Sequence, residues 1–161
     1  MPGKSRNDSE LVIERIFEAP RARLWEAWTN PEQMKRWWGP KGFTAPYAKI
    51  DLRVGGKYLY CMRSPDGKDY WGGGVYRAIV PQEKIVVTDS FTDEKGNIVP
   101  AAQYGMAGDW PLELMVTVTF EEQDGKTKMT LHHLGIPAGE NLEAAREGWS
   151  QSFDKLAEIL K

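Results

Sequence analysis

The chain has 161 residues, a length that fits one domain of the common size of roughly 100–200 residues and can bury a core without disulfides or metals. Its 21 basic and 23 acidic residues give a formal charge of -2 and are mixed along the chain, so no basic stripe is present to follow a phosphate backbone, and nucleic acid is not an expected partner. Cys61 is the only cysteine, which excludes an internal disulfide, and no apolar run approaches the roughly 18 residues of a membrane span.

The polar start MPGKSRNDSE reads as a flexible tail over residues 1–9, not a signal peptide, so the Asn7-Asp8-Ser9 triplet is not expected to meet glycosylation. One domain over residues 10–161, cytoplasmic and not inserted in a membrane, is the expectation. From Glu10 to Ala19, ELVIERIFEA is rich in branched residues and predicts a strand. Pro20 opens a helix, where its fixed φ helps and its missing N–H costs nothing; Leu24, Trp25 and Trp28 share that helix's apolar face. Asn30-Pro31-Glu32-Gln33 repeats the start signal for a second short helix, which Gly39-Pro40 ends. At about 100° per residue, the adjacent Trp37 and Trp38 diverge. One is expected to pack with Met34, the other to lean toward the helix edge.

From Tyr47 to Leu134 the chain predicts strands, broken at Gly55-Gly56, Pro65-Asp66-Gly67, Pro81-Gln82, Glu94-Lys95-Gly96-Asn97 and Asp124-Gly125. Val99 to Pro111 is the least regular stretch and predicts a long loop. After Pro137-Ala138-Gly139 a helix is predicted over about Asn141 to Leu160, with Leu142, Ala145, Trp149, Phe153, Leu156 and Leu160 on one face and Trp149 largely buried. The order predicts an α+β fold: a curved antiparallel sheet of about six or seven strands around the C-terminal helix, with two short helices after the first strand.

Both hairpins can be registered. A two-residue turn at Asp124-Gly125 pairs Gln123 with Lys126 and Val116 with His133, so Leu112, Leu114, Val116, Val118, Phe120 and His133 face inward and His132 outward. His133 is then either a satisfied core histidine or a ligand contact. A two- or four-residue loop around Asp66-Gly67 places Tyr58, Tyr60 and Met62 on one face with Trp71, Gly73 and Val75. The run Gly72-Gly73-Gly74 reads either as a bulge that bends the sheet or as Gly73 leaving room opposite Tyr60.

Conventional catalytic and metal patterns are not found: the two histidines are adjacent, the cysteine is alone, and no H-E-x-x-H, C-x-x-C, G-x-S-x-G or phosphate-loop spacing occurs. No catalytic residue, metal or cofactor is therefore assigned.

FEAPRARLWEAWTNPEQMKRWWGPKGFT, DLRVGGKYLYCMRSPDGKDYWGGGVYR, IVPQEKIVVTDSF and EGWSQSFDKLAEIL together resemble the SRPBCC superfamily. Within it they resemble the group of homologues of the activator of heat-shock-protein-90 ATPase, over about Leu11 to Leu160. The resemblance implies a START-like helix-grip fold and a hydrophobic cavity between sheet and helix, used across the superfamily for lipids, polyketides and hormones. Eukaryotic chaperone activators carry a separate N-terminal domain that residues 1–10 do not replace, so the family name is not taken as the activity. The leading expectation is binding of an unidentified apolar small molecule, with Trp38, Tyr58, Tyr60, Met62, Trp71, Gly73, His133, Trp149 and Phe153 lining the site. The alternatives are a small enzyme of cyclase, dehydratase or hydrolase type using His133 or a tyrosine, and a protein-interaction module of the chaperone-activator type.

Overall fold

Turn chemistry sets most of the element boundaries. The computed structural model describes residues 10–161, so the expected tail over residues 1–9 lies outside the described residues. The elements run β1 (Glu10–Phe17), α1 (Arg21–Thr29), α2 (Pro31–Met34), β2 (Thr44–Ile50), β3 (Lys57–Arg63), β4 (Asp69–Val80), β5 (Lys84–Thr92), a 3-10 turn (Ala101–Tyr104), β6 (Leu114–Gln123), β7 (Lys126–Leu134) and α3 (Glu140–Ile159). All five predicted strand breaks fall between these strands or just after β5. The Asn30 side chain accepts from the amides of Glu32 at 2.9 Å and Gln33 at 3.4 Å, capping α2 with Pro31 at its first position.

The strands form an antiparallel sheet in the order β1-β7-β6-β5-β4-β3-β2. The α1–α2 segment carries the chain from one edge strand to the other, and the sheet curves around α3, giving the helix-grip arrangement. Between β4 and β5 the register shifts after Tyr76, where an irregularity bends the sheet. Aromatic and aliphatic side chains fill the lower half of the grip. Phe153 on α3 is fully buried, with its ring 6.4 Å from Phe17 and 6.3 Å from Trp37. Trp37 is also fully buried, and its indole N–H donates to the Ala27 carbonyl at 3.0 Å, so its one polar atom is satisfied inside the core.

The β6–β7 hairpin has the predicted register, with Gln123 opposite Lys126 and Val116 opposite His133. Asp124 and Gly125 both have positive φ, at 53° and 81°, as a two-residue primed turn requires. Leu112 differs from expectation: it precedes β6 and is 57 % exposed.

The other hairpin has a different register. Arg63 pairs with Asp69, which leaves a loop of odd length over residues 64–68, and an odd loop exchanges the faces of the following strand. Tyr60 stands opposite Gly72, not Gly73, while Trp71 stands opposite Cys61. Trp71 and Gly73 therefore lie on the sheet face that Tyr58, Tyr60 and Met62 do not share. Trp71 packs there against Tyr47, ring centroids 5.5 Å apart. The role expected for Gly73, leaving room beside Tyr60, is corrected accordingly. A Cβ at Gly73 would collide with the Tyr58 carbonyl, so this glycine permits close strand approach.

Candidate functional site

Above the packed half of the grip, sheet and helix separate around a cavity of about 440 Å³. The sheet contributes Tyr60 and Met62 from β3, Tyr70 from β4, Asp89 and Phe91 from β5, and His133 from β7. Helix α3 contributes Ala145, Gly148, Trp149 and Ser152, and the chain after α2 contributes Trp38, Pro40 and Phe43. Met106 and Trp110 complete the wall, so the irregular 99–111 stretch serves as a rim. A smaller crevice of about 30 Å³ lies deeper, beside Tyr58, Tyr76 and Val116. Trp38, Asp89 and Trp149 border both spaces and form the waist between them.

Trp38 reaches this waist because Gly39, at φ 105°, turns the chain immediately after it. Its ring stands 5.1 Å from Tyr60 and 5.4 Å from Trp149, bridging the α2 segment, the sheet and α3. Lys155 secures the same segment by donating to the carbonyls of Pro40 at 3.3 Å and Phe43 at 3.1 Å. Of the adjacent tryptophans, Trp37 is buried in the core and Trp38 lines the cavity.

Four polar groups meet at the waist: the Trp149 indole, His133, Asp89 and the Tyr58 hydroxyl. The Trp149 indole N–H donates to Nδ1 of His133 at 3.0 Å. Indole is a donor only, so Nδ1 carries no proton and the ring proton of neutral His133 sits on Nε2. That Nε2 lies 3.4 Å from Oδ2 of Asp89 but makes no aligned hydrogen bond, although His133 is 6 % exposed. The other Asp89 oxygen lies 3.4 Å from the Tyr58 hydroxyl, whose proton goes to the Thr88 carbonyl at 2.7 Å. Burial, and after it the nearby Asp89 carboxylate, raise the Tyr58 and Tyr60 phenols well above their ordinary 10.0, so both stay protonated at neutral pH. Among the described residues, no three His, Cys, Asp or Glu side chains converge as a metal site would need.

Of the expected site residues, Trp38, Tyr60, Met62, His133 and Trp149 line the main cavity and Tyr58 the deeper crevice. Trp149 is partly exposed to that space, less buried than its place on the apolar stripe implied. Phe153 lies beneath Trp149, ring centroids 5.6 Å apart, and touches neither space. Trp71 and Gly73 are on the other face of the sheet. Asp89 was missed, although alternation along KIVVTDSFT puts it on the face of Ile85 and Val87. The rim residues Met106 and Trp110 carried no periodic signal.

This sheet wrapped on a terminal helix, with a cavity between them, defines a helix-grip protein of the α+β class. The family described as Activator of Hsp90 ATPase homolog 1-like protein matches residues 18–161, and the chain belongs to it. Among solved structures, a Mycobacterium smegmatis protein is similar at 28 % identity and TM-score 0.78, covering 97 % of this chain and 93 % of its own. A Chromobacterium violaceum protein is similar at 27 % identity and TM-score 0.76, covering 99 % and 98 %. The AHSA1 protein from Silicibacter pomeroyi, at 24 % identity and TM-score 0.74, covers 94 % and 97 % and shares the fold. No curated protein matches the chain.

Proposed function

We propose that the chain binds an apolar small molecule in the cavity between sheet and α3. The observation that carries this reading is a space of about 440 Å³ walled mainly by aromatic and aliphatic side chains, with a few polar groups among them, Asp89 and His133 included. That size and composition match small-molecule sites in general. A packed core would leave no such volume, because interiors are filled to crystal-like density.

Gly148 supplies the test. A Cβ built there meets only the Pro40 ring, at an ordinary 3.5 Å, so Gly148→Leu places bulk in the cavity without striking backbone. Replacing a helix-interior glycine also recovers up to about 1 kcal/mol of helix propensity. The expected result is a Tm equal to or above the wild type, with affinity for an apolar fluorescent probe reduced at least about tenfold. Native mass spectrometry of the purified wild type is expected to show a copurified small molecule or added probe. A wild type that takes up neither would overturn the reading.

A further inference from the structure

The Asp89–His133 pair on the cavity wall specifies the chemistry of what enters it. Resting on the ligand-binding reading above, we infer that the site selects an aromatic molecule bearing an uncharged hydroxyl group, seated between Asp89 and His133. The two protein groups ask for opposite things. Nε2 of His133 offers a proton and has no aligned acceptor, although the residue is more than nine-tenths buried. Asp89 offers its Oδ2 lone pairs beside it, at 3.4 Å, while the Tyr58 hydroxyl, bonded mainly to the Thr88 carbonyl, stands 3.4 Å from Oδ1 and the Tyr60 phenol also approaches the carboxylate. A buried donor without a partner is costly, and the half-buried carboxylate beside it has capacity for a further donor.

Only a group that both gives and takes a hydrogen bond satisfies this pair. A hydroxyl does so: its hydrogen goes to Asp89 and its oxygen accepts from His133. A ligand carboxylate would face Asp89 in a space whose described lining contains no lysine or arginine. Like charges at that range in a low-dielectric site repel strongly. An ammonium would satisfy Asp89 and leave the His133 proton facing a cation. An ether or ketone would accept from His133 and turn lone pairs toward the carboxylate. The body of the ligand is set by the walls, where Trp38, Phe43, Tyr60, Phe91, Trp110 and Trp149 present aromatic surface suited to a flat ring system.

The test is isothermal calorimetry at neutral pH with four probes sharing one ring body: 2-naphthol, 2-methoxynaphthalene, 2-naphthoate and 1-naphthylmethylammonium. A hydrogen bond to a charged partner is worth about a factor of ten or more in affinity. We expect 2-naphthol to bind at least about tenfold tighter than the methoxy compound, with the carboxylate weakest of all. Asp89→Asn keeps the side-chain shape and removes the charge; it should narrow the naphthol advantage and strengthen naphthoate binding. Equal affinities for naphthol and methoxynaphthalene would overturn the hydroxyl inference while leaving apolar binding standing. Tighter binding of the carboxylate or the ammonium would overturn it as well. Binding of none of the four would overturn both readings together.

Discussion

His132 and His133 are neighbours with opposite environments, because strand alternation assigns one side chain to each face. His132 sits on the outer face, with Nδ1 3.0 Å from Glu10, while His133 is held inside by the Trp149 indole. Tyr58 shows what burial does to a titrating group at the same waist. Its folded-state pKa lies above the ordinary 10.0, so the stability it contributes is intact below pH 10 and is lost as pH rises past that value. Tyr58→Phe should cost about 1 kcal/mol near neutrality, through the lost bond to the Thr88 carbonyl. The same variant should lose less stability than the wild type as pH rises above about 10, with Tyr60 still contributing its own share of the decline. Urea unfolding at several pH values measures both effects, and parallel declines in the two proteins would contradict the assignment.

The two hairpins explain how much of the fold and site could be read from sequence. Asp124-Gly125 names its own turn, because both residues must adopt positive φ and together they fill a two-residue loop. The inward position of His133 followed from that alone. Pro65-Asp66-Gly67 marks a turn equally well but does not say how many residues it consumes. The Ser64 amide donates to the Lys68 carbonyl at 2.9 Å and Arg63 pairs with Asp69, so the loop is odd in length where an even one was expected, and β4 turns its other face inward. Trp71 and Gly73 were misplaced for this reason, and Asp89 was legible only to alternation along β5. At Gly73 the consequence has a measurable sign. Gly73→Leu should destabilise by at least about 1–3 kcal/mol, since its side chain would start against the backbone of Tyr58 and Leu59. Thermal melts compared with Gly148→Leu check this. A stable Gly73→Leu protein would restore the even-loop register.

Across the whole molecule, the grip divides into a packed half around Trp37 and Phe153 and an open half closed by two segments without regular structure. One is Pro40 to Phe43, secured by Lys155; the other is the rim at Met106 and Trp110. Local opening is governed by how few buried contacts a segment makes. Amide exchange should therefore be slowest in β6 and β7 and fastest around residues 105–111, and a bound probe should slow the rim more than the sheet. Mass spectrometry of deuterated peptides measures this, and a rim unaffected by saturating probe would contradict its role as a wall. The tryptophans give the open half a further property. Trp38 and Trp149 border the cavity, and Trp28 stands within 6.1 Å of both, while Trp37 contacts Trp28 and Trp38. Light absorbed by any of these four rings can pass to the two at the waist, whose emission depends on the polarity and quenchers around them. Displacing water from the cavity, or drawing the His133 proton into a new bond, should shift and rescale that emission. The chain thus carries an unlabelled optical gauge of its own occupancy.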